Sequence, residues 1–225
     1  MNPTLTDLTA QILDALPQTQ CTRCGYPDCA AYAAAISQGE ANINQCPPGG
    51  AEGIARLARI TGRGVLAMNP DYGREAPRTV AFVDENWCIG CTLCINACPT
   101  DAILGTNKRM HTVIEKYCTG CELCIPVCPV DCIHLENISQ EATGWNAWSA
   151  TQATEARQRY ANRQQRLKRE ADAHQIQQEE KARDKLAHLA EHSQLTDPTL
   201  LDKKRKLIEA ALARAKERKT INTDA

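Results

Sequence analysis

Apolar positions fall into three regimes along the chain. Near the start, Leu5, Leu8, Ile12 and Leu16 recur at helical spacing, and Ala30 to Ile36 is a run of strong helix formers. Pro47, Pro48, Gly49 and Gly50 interrupt the chain before Ile54, Leu57 and Ala58 resume a helical period. This predicts a small helical domain over 1–65, then a linker over 66–78 holding Pro70, Gly73 and Pro77. Between 79 and 140 the period shortens. Val80-Ala-Phe-Val and Thr112-Val-Ile are short β-like runs, each ahead of a cysteine loop, and predict small β-hairpins with a short helix after each loop. Residues 151–190 favour helix but are polar on nearly every face, the pattern of a solvated helix or of disorder. A last helix is predicted from Pro198, with Asp197 as N-cap and an apolar stripe of Leu200, Leu201, Leu207, Ile208, Ala211 and Leu212. The fold class is α+β: a helical domain, a two-part domain of short hairpins and helices over 79–140, and a charged helical or partly disordered tail over 150–225.

Composition sharpens this picture. One Phe and 4% aromatics leave little bulky apolar surface to offset chain entropy, while thirteen Cys offer another source of stability. A secreted disulfide framework is the alternative use of so many thiols. Met1 to Leu16, with Asp7 and Asp14 among its apolar residues and no basic start, does not read as a signal peptide. No run of about 18 apolar residues suggests a transmembrane helix. The expected compartment is the reducing cytoplasm. Charge divides the chain: residues 1–150 hold 9 Lys and Arg against 15 Asp and Glu, a balance of −6, and residues 151–225 hold 17 against 12, or +5. Every Cys lies in the acidic part.

The middle segment is duplicated. Cys88-Ile-Gly-Cys-Thr-Leu-Cys-Ile-Asn-Ala-Cys-Pro overlies Cys118-Thr-Gly-Cys-Glu-Leu-Cys-Ile-Pro-Val-Cys-Pro at an offset of 30, and Asp101 with Ile103 overlie Asp131 with Ile133. A [4Fe–4S] cube needs a thiolate at each iron corner. A C-x2-C-x2-C loop supplies three, and in the C-x2-C-x2-C-x3-C-P run of two-cluster ferredoxins the fourth cysteine serves the other cluster. One cluster is therefore expected on Cys88, Cys91, Cys94 and Cys128, and a second on Cys98, Cys118, Cys121 and Cys124. Paired zinc sites are the competing reading, but zinc knuckles do not usually crowd four Cys into eleven residues ending in Pro.

Cys21, Cys24 and Cys29, followed after sixteen residues by Cys46, form a looser set. On spacing alone it suits zinc or a cube. Cys132 aligns with Ala102 and reads as a small buried hydrophobe. The five His, including His111 and His134, lack ligand spacing to any cysteine set and read as surface or packing residues. Lys203-Lys-Arg-Lys206 is taken as a solvated face, and a nucleic-acid partner is not expected.

The stretch PQTQCTRCGYPDC, then QCPPGG, then two C-x2-C-x2-C-x3-C-P repeats resembles the ferredoxin-like B component of the Rnf/Rsx-type electron transport complexes, over about residues 5–140. The resemblance implies a [4Fe–4S] cluster on Cys21, Cys24, Cys29 and Cys46, three clusters in all, and redox partners among the other components of a membrane complex. The family's usual N-terminal membrane anchor has no counterpart from Met1. The expectation is a member that docks by protein contacts on the cytoplasmic face of the inner membrane, or one serving a different partner. No nucleotide-binding glycine loop, nucleophile with base or carboxylate pair is present, so an electron relay without substrate chemistry of its own is expected. An iron–sulfur subunit of a soluble multi-subunit oxidoreductase is the alternative.

Overall fold

In the computed structural model, described for residues 5–189, 191–195 and 197–223 with side chains to 214, the chain forms two compact units, 1–163 and 164–225. The first opens with three helices, α1 (Leu5–Asp14), α2 (Cys29–Gln38) and α3 (Gly50–Thr61). Their shared core is Ile12, Leu16, Tyr32, Ile36, Ile43, Ile54 and Leu57, each at most 3% exposed. Capping sets the limits of α2. The Asp28 carboxylate accepts the Ala31 N–H at 2.7 Å, and Gly39, at φ 83°, turns its N–H back to the carbonyls of Ala35 and Ile36.

The linker is packed. Glu75 accepts from the Ala51 amide at 2.8 Å and the Thr143 hydroxyl at 2.6 Å, and Arg63 donates to the carbonyls of Ala41 and Ile36. After it come β1 (Thr79–Val83), α4 (Leu93–Ala97), β2 (Ile103–Leu104), β3 (Thr112–Val113) and β4 (Ile133–Asn137). The four strands make two antiparallel pairs, β1 with β4 and β2 with β3. Only the second pair is a hairpin. Each strand that leads into a cysteine loop thus pairs with the strand that trails the other loop.

Against the expected hairpins, β1 pairs with the distant β4, and two further expectations need correction. The first loop is followed by α4, in which the Asn96 N–H reaches the Thr92 carbonyl at 3.1 Å. The second has only turns at this place, because Pro126 overlies Asn96 and has no N–H to give. The chain beyond 150 is also not polar on every face at its start. In α5 (Ala150–Ala187), Ala153 and Ala156 pack with Trp145 and Trp148, and Arg163 is 7% exposed, donating to the Asp101 carboxylate at 2.9 Å and to the Asn96 carbonyl. Arg157 pairs with Asp14, and Tyr160 donates to Asp28 at 3.1 Å. These contacts place 150–163 within the first unit.

The second unit holds the remainder of α5 and α6 (Pro198–Thr223). Gln175, Gln178 and Ala182 face Leu207, Ile208, Ala211 and Leu212 across an open groove, and Leu207 is 68% exposed.

Candidate iron–sulfur centres

The duplicated loops share a backbone as well as a cysteine spacing. Gly90 and Gly120 have φ of 67° and 68°, Thr92 and Glu122 both 65°, and Asp101 and Asp131 both 50°. A Cβ on Gly90 would stand 2.5 Å from the Arg109 backbone nitrogen and oxygen, and one on Gly120 would stand 2.4 Å from the Thr79 carbonyl oxygen. Glycine is required at both positions for its φ and for the close approach of a neighbouring chain segment. Gly120→Ala is expected to disrupt its loop and cost about four Fe per chain. Gly39→Ala, equally left-handed but with nothing within 4 Å of the new Cβ, is expected to cost only about 1–2 kcal/mol and no iron. Iron analysis and thermal unfolding of the two variants check this contrast.

Strand exchange determines which thiols meet. β2 follows Cys98 and pairs with β3, which leads to the second loop, so Cys98 joins Cys118, Cys121 and Cys124 around one pocket also lined by Ala81, Ala102, Ile103 and Leu135. Burial, reinforced by the neighbouring thiols, pushes Cys121 and Cys124 up to about 12. β4 follows Cys128 and pairs with β1, which leads to the first loop. There Cys94 is raised by burial and by Cys91 and Cys88, and Cys132 by burial, by Cys128 and by Cys88. Cys128, although burial works the other way, is held below its ordinary value by the amides of Val130 and Cys132 and by the Cys132 thiol.

In the helical part, Cys29 begins α2, and its N–H donates to the Gln20 side chain at 2.9 Å. The Tyr32 hydroxyl accepts the Gln45 N–H at 3.1 Å and donates to the Asn42 carbonyl at 2.7 Å, fixing the chain just before Cys46. Burial pushes Cys29 up to about 12, with Cys21 and Cys24 adding to it, and Cys46 rises through burial and through Cys29, Cys21 and Cys24. All four are 8–9% exposed.

These surroundings suit iron–sulfur clusters. Backbone N–H groups already point at the sulfurs: Ala102 to Cys98 at 3.2 Å, Cys132 to Cys128 at 3.4 Å, and Ala81 to Cys118 at 3.4 Å. Such donors stabilise thiolate, whereas burial without metal keeps the thiols protonated, so loading a centre must release protons. Among the described residues no three His, Cys, Asp or Glu side chains converge on a single ion-sized point; a cube spreads its four thiolates over four separate iron corners.

Two features were not foreseen in the sequence. Cys132 is buried, as a small hydrophobe would be, but its Sγ also lies 3.5 Å from that of Cys128. His111, read as a surface or packing residue, is 1% exposed with Nδ1 3.2 Å from Cys94 Sγ. No local spacing marks it, since seventeen residues separate it from Cys94.

Comparison with known proteins supports the same chemistry. Residues 81–135 match the family of the 4Fe-4S dicluster domain, and residues 16–48 match an Fe-S cluster family. The B component of the ion-translocating oxidoreductase complex of Azoarcus sp. (strain BH72) is 60% identical over 130 residues, 58% of this chain and 71% of that protein. The component of the same name from Thiobacillus denitrificans is 57% identical over 106 residues, 47% of this chain and 56% of its own length. That of Alkalilimnicola ehrlichii is 53% identical over 153 residues, covering 67% and 81%. No solved structure matches the chain. Among the described residues no helix is long and apolar enough to cross a membrane.

Proposed function

The chain belongs to the family formed by the B component of Rnf-type ion-translocating oxidoreductase complexes, and from that premise we propose that it relays single electrons through three [4Fe–4S] clusters to a flavin- or cluster-bearing partner. It is an iron–sulfur electron-transfer protein. In this proposal centre A is held by Cys21, Cys24, Cys29 and Cys46, centre B by Cys88, Cys91, Cys94 and Cys128, and centre C by Cys98, Cys118, Cys121 and Cys124. The partners are the other components of a membrane electron transport complex, met from the cytoplasmic face.

When bound, the clusters supply reversible one-electron chemistry. The chain supplies thiolates, amide donors and exclusion of water. It also supplies a route. The Thr119 hydroxyl, next to Cys118, donates to the Thr19 carbonyl, two residues before Cys21, at 3.0 Å, and Arg23 pairs with Glu122 beside it. This buried hydrogen bond is the observation that carries the reading, because it links a ligand segment of centre A directly to one of centre C. Centres C and B are then joined by the exchanged strands, so the order A, C, B follows. Cys88, Cys91 and Cys128 are only half-buried, which makes B the end nearer to solvent.

Protein purified without oxygen is expected to carry about twelve Fe and twelve sulfide per chain, four of each per cube. About eight of each would remove centre A from the proposal, and stoichiometric zinc with little iron would end it.

A further inference from the structure

One cross-strand pair of the duplicated segment differs between the two halves in a way that bears on a centre. At the offset of 30, His111 overlies Ala81 and Leu135 overlies Gly105. Ala81 and Leu135 are cross-strand partners in the β1–β4 ladder and line the pocket of centre C. Continuing the register of β2 and β3 by one step sets Gly105 opposite His111 in the same way. One half therefore carries small and large where the other carries large and small, so the bulk moves to the other strand of the pair and its chemistry changes.

The exchange is built into the packing. A Cβ on Gly105 would lie 2.1 Å from His111 Cδ2, so the imidazole occupies the space that a side chain at 105 would take. His111 is 1% exposed, its Nδ1 is 3.2 Å from Cys94 Sγ, and its Nε2 is buried without a hydrogen-bond partner among the described residues. Among the described residues the ring's one hydrogen-bonding contact is thus the sulfur. At the equivalent place in the other half, Ala81 has nothing to donate from its side chain to Cys124.

We propose that His111 raises the reduction potential of centre B above that of centre C by donating a hydrogen bond from Nδ1 to the Cys94 thiolate. This rests on the reading that both four-cysteine sets hold [4Fe–4S] cubes. A thiolate ligand accepts only, so the imidazole proton must sit on Nδ1 in the loaded protein. On reduction one electron enters the cube and no bond is made or broken; the proton stays on nitrogen. The reduced cube is the more negative, and a donor to its sulfur stabilises that form more than the oxidised one. Electrons arriving through A and C would then settle on B, the end nearer to solvent.

The test uses the full-length chain, reduced stepwise with dithionite and followed by electron paramagnetic resonance, with iron content measured on each sample. Gly105→Leu with His111→Ala gives the first half the packing of the second and removes the donor. His111→Asn keeps an N–H near the Nδ1 position. The double variant is expected to lower the reduction equilibrium of centre B about tenfold, or 59 mV for one electron, with centre C unmoved. His111→Asn should remain close to the wild type. Wild-type protein labelled with 15N-histidine should also show a nitrogen hyperfine coupling on reduced centre B, a readout that needs no variant to fold. An unchanged potential in the double variant with its iron intact, an equal fall in His111→Asn, or the absence of the nitrogen coupling would overturn the proposal. Loss of the cube signals from the wild type itself would instead defeat the cluster reading on which it rests.

Discussion

Cys98→Ala is expected to remove about four of twelve Fe per chain, and the centre lost is the one wrapped by the second loop, although Cys98 belongs to the first. The physical reason is the strand exchange. The chain leaving Cys98 enters β2, which is hydrogen-bonded to β3 rather than to β1. Cys98 is thereby placed in the pocket of Cys118, Cys121 and Cys124, with the Ala102 amide donating to its sulfur at 3.2 Å. The reciprocal experiment at Cys128 needs more care. Cys132 Sγ lies 3.5 Å from Cys128 Sγ and stands ready to replace it as a ligand. Cys132→Ala alone should keep all the iron, because Ala102 fills the equivalent position in the other half. Cys128→Ala should show its full effect, loss of centre B with C retained, only with Cys132→Ala added. The 15N-histidine hyperfine coupling proposed for centre B, present or absent in the remaining signals, decides which centre is missing. Loss of B in Cys98→Ala would show that each loop keeps its own fourth cysteine.

The sequence was most informative where the chemistry demands particular residues at short range. Cysteine spacing, the glycines of the loops and the offset of 30 all act within a few dozen residues, and the helical periods of Ile12, Leu16, Ile54 and Leu57 led to side chains that lie in the core. Cys98, Cys118, Cys121 and Cys124 line one pocket, and the small-strand architecture has helices in the expected places around Cys29 and Ile54. The misses have a common cause, which is that contacts between distant segments leave no local period. Sequence neighbours pair most readily, so the short runs predict hairpins, yet β1 finds β4 about fifty residues on. The second short helix failed on one atom, the N–H that Pro126 lacks. His111 carries no local signal because its packing depends on Gly105 across the hairpin, although the offset that aligns the cysteines also aligns Ala81 with His111 and Gly105 with Leu135. The start of α5 looked polar because its anchors are charged. Arg157 and Arg163 each meet a carboxylate of the first unit, and Arg159 lies over the Tyr117 ring.

That last point changes what a truncation should do. Ending the chain after residue 150 removes Ala153 and Ala156 from Trp145 and Trp148, and removes Arg163 from Asp101 and the Asn96 carbonyl, next to the first cluster loop. Uncovering two largely buried Trp side chains costs on the order of 3 kcal/mol, which in a unit of this size is a fall in apparent Tm on the order of 6–12 °C. The 150 truncation should therefore lose its visible absorbance at lower temperature. Ending the chain after residue 163 keeps every one of these contacts, and its iron content and thermal profile should match the full chain. What it discards is residues 164–225, with 14 Lys and Arg against 11 Asp and Glu, a balance of +3, and the open groove beside Leu207 and Ile208. Three of the arginines that made the region beyond 150 strongly basic are engaged with the first unit, so the charge left for a partner is smaller than the sequence suggested. A surface with a modest charge and an exposed apolar stripe suits docking that is steered electrostatically and held by burial. Electron delivery from the 163 truncation to the membrane complex should consequently be slower than from the full chain, with the gap widest at low ionic strength, where screening is least. Equal rates at every salt concentration would leave the second unit without a part in docking, and early loss of clusters from the 163 truncation would extend the first unit beyond Arg163.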